Sequence, residues 1–257
     1  MPGEPSSWFD RAMSPEAPAS FDIAKRRGEL PCGLDGRDEA RNYFDFIAGL
    51  FGELGGTVLD HGAGSGALSE RLLNGAERVI ALEPDPELVD LLAERFARAP
   101  RLEVLPGTIE TYLAERGPGT LDAIVSSNVL EHIVNDVECL ERIREALKPA
   151  GVLGVYVPAR QELFGSLDAA VGHVRRYARS ELSQKLARAG FRVEWVRYRN
   201  IAGVVPWLVA GKLLRRRAVG ARNIGLFDRL IFPASQLVEA RIELPYGLNL
   251  AARARRI

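Results

Sequence analysis

The stretch "VLDHGAGSGALSERL", residues 58–72, is the most informative part of this chain. A short apolar run ending in Asp60 leads into a turn rich in glycine, and leucines at helical spacing follow. The glycines alternate with other residues: Gly62, Gly64 and Gly66. Such a turn between a strand and a helix lets a ligand approach the main chain and presents helix N-terminal amides to it. Glu83 ends the next apolar run, where a carboxylate can accept both hydroxyls of a ribose. Together these features predict a bound nucleotide or nucleoside.

Apolar runs typical of strands alternate with helical patterns on both sides of this turn. We predict strands over 55–60, 78–85, 101–107, 121–130 and 151–158, and helices over 37–52, 67–74, 86–99 and 135–148. Nearly continuous apolar strands that alternate with helices indicate a parallel sheet covered on both faces, in a doubly wound α/β fold. Its ligand is expected beyond the carboxyl ends of the strands. Four loops should converge there: 60–66, 83–85, 107–110 and 126–131.

Length and composition fit one large domain, or one domain with an insertion. The chain has 257 residues, of which 47% are hydrophobic and 26% charged, as in ordinary globular proteins. Residues 1–20 contain no continuous apolar stretch of the kind found in a signal peptide, so we expect a loose N-terminal arm and a cytoplasmic location. The two cysteines, Cys32 and Cys139, are too few for a disulfide scaffold or a Cys-rich zinc site. No metal is expected.

The charges are unevenly distributed along the chain. Residues 1–170 hold 16 Lys+Arg against 29 Asp+Glu, whereas residues 171–257 hold 18 against 5, so the two parts carry −13 and +13. Either the two parts attract each other within one globule, or the basic part faces an anionic phosphate, substrate or lipid surface.

Two cofactors fit the glycine-rich turn. "GAGSGA", residues 62–67, satisfies the Gly-x-Gly-x-x-Ala pattern of nicotinamide dinucleotide sites. Against an NAD(P)-dependent oxidoreductase, no Tyr is followed four residues later by Lys, the usual acid/base pair of short-chain reductases. Nor is there a second domain long enough for a separate substrate-binding half.

Five motifs resemble, in order and spacing, those of class I S-adenosylmethionine-dependent methyltransferases. They are "VLDHGAGSGALSERL" (58–72), "VIALEPDPELVDLL" (79–92), "LPGTIETY" (105–112), "LDAIVSSNVLEHI" (121–133) and "REALKPAGVLGVYVP" (144–158). The similarity is greatest to the small-molecule group (types 11 and 12) that includes ubiquinone-biosynthesis enzymes, and it covers about residues 55–200. It implies a Rossmann-like seven-stranded sheet whose last strand is antiparallel, closed by strands over 191–200 and 247–256.

The resemblance implies a domain layout and a role for each motif. The layout is an N-terminal arm with a cap helix (1–50), a cofactor-binding core (51–201), a helical insertion (202–245) and a closing strand (246–257). The cofactor would be S-adenosylmethionine, leaving S-adenosylhomocysteine as the product. Asp60 would organise the turn and meet the methionine ammonium, and Asn128 would face the methionine portion through its carbonyl. The remaining contacts would come from Gly62, Ala63 and Gly64 (amino-acid end), Glu83 and Pro84 (ribose), and Thr108, Ile109 and Glu110 (adenine).

Two positions depart from the family pattern. The family often has Asp where this chain has Thr108, which weakens the assignment of the adenine contacts. His61 occupies a position where the family prefers an apolar residue, and we interpret it as local packing.

Methyl transfer from a sulfonium depends mainly on holding the nucleophile close and aligned, so a general base is optional. His132, just past the fourth strand, and His173, before the next helix, are the candidate bases; each has a structural alternative, in which it pins a loop. Arg175, Arg176 and Tyr177 are candidates for holding an anionic group of the acceptor, or else form a solvated charged face.

The segment 202–245 exceeds what the family core needs between its last strands. "IAGVVPWLVAGKLLRRR", residues 201–217, contains Pro206 and is too short to span a membrane. This stretch is either a helix of the core or of a homodimer interface, or else it covers the acceptor as a lid or lies near anionic lipid. Residues 225–242 predict a second amphipathic helix. A small-molecule acceptor is expected and nucleic acid is not. The alternative functions are an NAD(P)-dependent oxidoreductase and a catalytically inactive S-adenosylmethionine-binding partner protein.

Overall fold

Seven strands form one sheet in the computed structural model, which describes residues 40–257. The strands are β1 (Thr57–His61), β2 (Arg78–Glu83), β3 (Leu102–Pro106), β4 (Leu121–Ser127), β5 (Leu147–Pro158), β6 (Phe191–Arg199) and β7 (Asn249–Arg256). The predicted N-terminal arm, Cys32 and the first residues of the helix predicted over 37–52 lie outside the described residues.

The order of the strands across the sheet is β3-β2-β1-β4-β5-β7-β6. The strands β1 to β5 pair in parallel, and β7 lies antiparallel between β5 and β6. The predicted seven-stranded doubly wound sheet with an antiparallel last strand is therefore confirmed. The usual order of dinucleotide-binding folds, 3-2-1-4-5-6, has no such inserted strand.

Helices cover both faces of the sheet. Those of the described core are α1 (Arg41–Leu50), α2 (Ala67–Leu72), α3 (Pro86–Arg95), α4 (Ile109–Arg116), α5 (Asp136–Ala146), α6 (Ser166–Ala170) and α7 (Arg179–Arg188). Apolar side chains of α1, α2 and α3 pack on one face, and those of α4, α5 and α7 pack on the other. Alternate strand residues enter the two cores, Val58 on one side and Leu59 on the other, which explains why the central parallel strands are nearly continuous apolar runs.

The segment between β6 and β7 is helical. It contains α8 (Val204–Leu208), which continues as a π-helical turn (Val209–Leu213), and then α9 (Ala221–Leu226), a second π-helical turn (Phe227–Ile231) and α10 (Phe232–Glu239). Within residues 40–257, every helix is too short or too polar to cross a lipid bilayer.

Two buried carboxylates fasten this segment to the core. Asp228 accepts hydrogen bonds from the amides of Asn42 (3.0 Å) and Tyr43 (2.8 Å), in the first turn of α1. Glu239 accepts from the amides of Asn200 (3.0 Å) and Ile201 (2.8 Å), at the end of β6. Because helix N-terminal amides otherwise lack partners, the segment completes α1 as well as covering it.

Candidate active site

A cavity of about 1150 Å³ lies at the carboxyl ends of the parallel strands. The four loops predicted to converge there all contribute to its wall, and so does the segment between β6 and β7. The apolar part of the wall from that segment includes Val205, Trp207, Val209, Ile224, Phe227 and Phe232. Cavities for one small ligand usually measure 300–1000 Å³, so this one has room for a cofactor and an acceptor together.

The glycine-rich turn is sterically tight at two positions. Gly62 has φ +74°, and a Cβ there would lie 2.5 Å from Cγ2 of Val129, which follows β4. Gly66 has φ +79°, and a Cβ there would lie 2.5 Å from Phe96, just beyond α3. The left-handed backbone and the close neighbours both require glycine. The amides of Gly62 and Ala63 also donate to the carbonyl of Leu82 in β2, so the turn is held in place.

Glu83 joins this turn to the end of β2. Its carboxylate accepts hydrogen bonds from the amide of Gly64 through Oε2 (2.8 Å) and from that of Asp85 through Oε1 (3.1 Å). Burial raises the pKa of Glu83, and the two amides oppose that shift. The side chain lines the cavity with acceptor capacity remaining on both oxygens, since each carboxylate oxygen has about two lone-pair sites.

Asp60 is a buried carboxylate at the floor of the turn. Its Oδ2 accepts a hydrogen bond of 2.6 Å from the Ser69 hydroxyl. Burial raises its pKa to about 7; the bond from Ser69 opposes this shift, and the charge of Glu83 adds to it. A cation placed beside Asp60 would favour its ionised form.

The third loop begins α4. Thr108 is the residue before the helix, and its amide donates to the Thr111 hydroxyl (2.8 Å). Ile109 is buried, whereas Glu110 is exposed in the first turn; all three predicted residues line the cavity.

His61 also lines the cavity, and its Nδ1 lies 3.1 Å from the Ser126 hydroxyl. Burial lowers its pKa to about 4. The ring is therefore neutral at ordinary pH.

Asn128 follows β4 with a left-handed backbone, φ +55°. Its amide donates to the Tyr156 carbonyl (2.8 Å), and its side-chain Nδ2 donates to the hydroxyl of Tyr43 (3.2 Å). Tyr43 belongs to α1 and lines the cavity. The cap helix is thereby connected to the loop after β4.

The two candidate bases lie side by side. The rings of His132 and His173 have centroids 4.8 Å apart and meet edge to face. Nδ1 of His173 lies 2.8 Å from Oδ1 of Asp168, and Nδ1 of His132 lies 3.3 Å from the carbonyl of Gly172. The pKa of His132 is lowered to about 3, chiefly by burial and in part by the charge of His173.

Glu131 lies against this pair and is fully buried. Burial raises its pKa to about 7, although the charge of His173 opposes the shift. Its Oε1 is 3.7 Å from Nε2 of His173.

Of the residues proposed to hold an anionic acceptor, only Arg176 lines the cavity. Its guanidinium is already bound, with Nε donating to Asp168 (2.7 Å) and Nη1 to the Ala159 carbonyl (3.1 Å). Arg175 donates to Asp136 (3.0 Å). The buried Tyr177 hydroxyl donates to Asp136 (2.7 Å) and lies 3.1 Å from the Leu130 carbonyl. All three side chains are thus engaged by other residues of the chain, and their role in binding an acceptor stays a prediction.

The sequence analysis did not single out three residues of the site, which are Asp168, Trp207 and Glu131. Asp168 accepts hydrogen bonds from His173 and Arg176, and its Oδ2 also accepts one from the indole of Trp207 (3.2 Å). Although burial pushes the pKa of Asp168 upward, the bond from His173 and the charge of Arg176 outweigh it, and the pKa lies below its ordinary value. The one local signal was an acid five residues before a histidine. Glu131, the third residue, precedes His132 directly.

The chain is similar to known methyltransferases. Residues 59–153 match the model of a methyltransferase domain. A probable S-adenosylmethionine-dependent methyltransferase of Mycolicibacterium smegmatis is 31% identical over 143 residues, which are 54% of this chain and 53% of that protein. A ubiquinone biosynthesis O-methyltransferase of Xanthomonas campestris is 30% identical over 110 residues, 42% of this chain and 46% of that one. The chain thus spans about half the length of the curated relatives it matches.

A solved structure shows the same fold over most of the chain. The 1,6-didemethyltoxoflavin-N1-methyltransferase of Burkholderia thailandensis, with its substrate and S-adenosylhomocysteine bound, has a TM-score of 0.55 at 20% identity. The match covers 93% of this chain and 86% of that one.

Proposed function

We propose that this chain, whose residues 59–153 match a methyltransferase domain, is a class I S-adenosylmethionine-dependent methyltransferase and that it methylates a small, largely apolar molecule. One observation carries the proposal: a single cavity of about 1150 Å³ joins the glycine-rich turn and Glu83 to an apolar wall supplied by residues 202–245. A cofactor held at the strand ends and an acceptor held against that wall would share this one cavity.

The cofactor end has groups that suit each part of S-adenosylmethionine. The buried Asp60 suits the ammonium of the methionine portion, because a neighbouring cation stabilises its carboxylate. The turn of Gly62, Ala63 and Gly64 offers main chain, and Asn128 bounds the same side. Glu83 and Pro84 would meet the ribose, and Thr108, Ile109 and Glu110 the adenine. The cofactor supplies an activated methyl group on sulfur, and the protein's task is alignment.

The acceptor end is apolar with one exposed cation. Trp207, Phe227 and Phe232 contribute aromatic surface, and Arg216 lines the cavity with no hydrogen bond or ion pair from its guanidinium to another described residue. We infer that the segment 202–245 serves as a lid and that Arg216 meets a polar or anionic end of the acceptor. Holding the acceptor in line with the methyl group can contribute about 7–11 kcal/mol to catalysis.

The topology of the sheet argues against the oxidoreductase alternative. The antiparallel β7 between β5 and β6 departs from the strand order of dinucleotide-binding folds. A catalytically inactive binding protein would share every feature of the cofactor end. Only an assay of methyl transfer distinguishes such a protein from an enzyme.

The proposal is tested with S-adenosylmethionine labelled in its methyl group. The protein is incubated with a low-molecular-weight extract, a lipid extract, total RNA and total protein from the source cells. We expect label in an organic-extractable small molecule, lost in Glu83→Gln and retained in Glu87→Gln, whose side chain is exposed on α3. Label in RNA or protein alone would contradict a small-molecule acceptor, and no label anywhere would favour the inactive binding protein.

Residues 202–217 also support the predicted contact with a lipid surface. Leu213 and Leu214 are 77% and 54% exposed, and they lie beside Lys212 and Arg215 on the same short segment. Apolar and basic side chains together suit an anionic bilayer surface. Co-sedimentation with phosphatidylglycerol vesicles should exceed that with phosphatidylcholine vesicles, and Leu213→Ser with Leu214→Ser should remove the difference. Equal sedimentation with both vesicles would contradict the contact.

A further inference from the structure

Three side chains with metal-binding atoms meet at the edge of the cavity. Glu131 and His132 lie in the short 3₁₀-helix after β4, and His173 lies beyond α6. Their candidate ligand atoms, one from each residue, all lie within 4.8 Å of one another. Both histidines line the cavity, so an ion held between them would be reached from it.

Glu131 is the member of this cluster that lacks a partner. It is fully buried, and neither carboxylate oxygen accepts a hydrogen bond from another residue in the described part of the chain. A buried carboxylate without hydrogen bonds is costly, because nothing replaces the water it has lost. Nε2 of His173, at 3.7 Å from Oε1, is too far to donate a hydrogen bond. The position calls for a cation.

The two histidines are already oriented as ligands. The Gly172 carbonyl can only accept, so Nδ1 of His132 donates to it and the lone pair of the neutral ring is on Nε2. In the same way, Nδ1 of His173 donates to the Asp168 carboxylate, so the lone pair of its neutral ring is also on Nε2. In metal sites the ligating imidazole almost always donates its other N–H to a carboxylate or a carbonyl in this way.

Asp168 is in turn held rigidly. It accepts from Nε of Arg176 (2.7 Å), from the amide of Gly165 (2.9 Å) and from the indole of Trp207 (3.2 Å). Such bonds fix the carboxylate, and through it the plane of the His173 ring. The lid, which carries Trp207, thus reaches the cluster through Asp168.

We propose that Glu131, His132 and His173 bind one divalent transition-metal ion, through a carboxylate oxygen and two Nε2 atoms. Two imidazoles and one carboxylate suit Zn²⁺, Co²⁺ or Fe²⁺, whereas Mg²⁺ and Ca²⁺ prefer oxygen ligands throughout. Three protein ligands leave at least one coordination position for an oxygen from the cavity. Sequence reasoning expected no metal because it considered only cysteine-rich sites.

Resting on the proposed function, the ion also indicates the class of acceptor, a molecule with a hydroxyl group. Bound to the ion, the hydroxyl would lose its proton to solvent more readily. The oxygen would then form a bond to the methyl carbon while the carbon–sulfur bond breaks, and the electron pair of that bond would return to sulfur as S-adenosylhomocysteine leaves.

Cobalt(II) is the probe for the site. Tag-free protein, stripped with EDTA and dialysed, is titrated with CoCl₂ while visible absorption and bound cobalt are measured. We expect one ion per chain, with binding lost in Glu131→Gln and in His173→Ala. The matched control is His61→Asn, which alters the one remaining histidine of the chain and should retain the ion. No bound cobalt, or cobalt that persists in both ligand variants, would overturn the site.

Thermal unfolding keeps the test valid if a variant folds poorly. Glu131→Gln removes a buried charge without a partner, so the metal-free variant should unfold at a temperature no lower than metal-free wild type. Co²⁺ should raise the midpoint of wild type alone, since only a ligand that binds the folded state stabilises it; an equal rise in both proteins would contradict the site. Binding of S-adenosylhomocysteine is measured separately, in the presence of EDTA. If the protein binds S-adenosylhomocysteine but no cobalt, only the metal site is overturned. If it binds cobalt but no S-adenosylhomocysteine, only the proposed function is overturned.

Discussion

Replacing Gly62 by alanine tests whether the turn is shaped by its own protein neighbours. The residue has φ +74°, and the added Cβ would lie 2.5 Å from Cγ2 of Val129. A left-handed backbone costs an L-residue roughly 1–2 kcal/mol, and an overpacked methyl group costs roughly 1–3 kcal/mol. The two effects together should lower the free energy of unfolding by about 2–5 kcal/mol.

Gly119→Ala is the matched control for this change. Gly119 has φ +66°, but nothing lies within 4 Å of the position of its Cβ, so it should show only the backbone cost of roughly 1–2 kcal/mol. Urea unfolding measures both variants, with an unchanged slope against denaturant required for the comparison. Adding Val129→Ala to Gly62→Ala should cost less than the sum of the two single changes, because the contact is relieved. A loss in Gly62→Ala no larger than in Gly119→Ala would refute the close packing of the turn.

Three further outcomes follow from the buried carboxylates. Asp60 has a pKa of about 7 when no ligand is bound, and a bound ammonium would favour its carboxylate. Affinity for S-adenosylhomocysteine should therefore fall about tenfold per pH unit as the pH is lowered from 7 to about 5.5. Asp60→Asn should flatten this profile in calorimetry, and a flat wild-type profile would exclude the ammonium contact. Glu83→Gln should weaken that affinity about 10- to 100-fold through loss of charge-assisted hydrogen bonds, with Glu87→Gln unchanged; an unaltered dissociation constant would remove Glu83 from the ribose. Asp228→Ala should lower the free energy of unfolding by about 1–2 kcal/mol in urea, because it leaves two amides of α1 without an acceptor; an unchanged midpoint would show that these bonds contribute nothing.

The order of the core elements follows from sequence because the central strands β1, β2 and β4 are buried on both faces and are therefore nearly continuous apolar runs. The boundary between α5 and β5 shows what the pattern leaves out. The helix predicted over 135–148 ends at Ala146, and β5 begins at Leu147, where Leu147 pairs with Leu121. Lys148 precedes Pro149, whose ring disfavours a helical conformation for the residue before it.

The residues predicted to bind the cofactor lie at the ends of strands or shortly after them, so their convergence at one edge of the sheet could be predicted from sequence. The acceptor side could not be predicted, because its contacts join residues far apart in sequence. His132 and His173 meet only after the chain has passed through β5 and α6, and Asp136 binds Arg175 and Tyr177 from about forty residues away. Distances of this kind are set by how the loops pack, and no local spacing encodes them.

The identity of the cofactor is measured by calorimetric titration with S-adenosylhomocysteine, and with NAD and NADP in parallel. We expect micromolar binding of S-adenosylhomocysteine and no binding of either dinucleotide. Binding of a dinucleotide without S-adenosylhomocysteine would contradict this expectation and would make the turn over residues 62–67 a site for hydride-transfer cofactors.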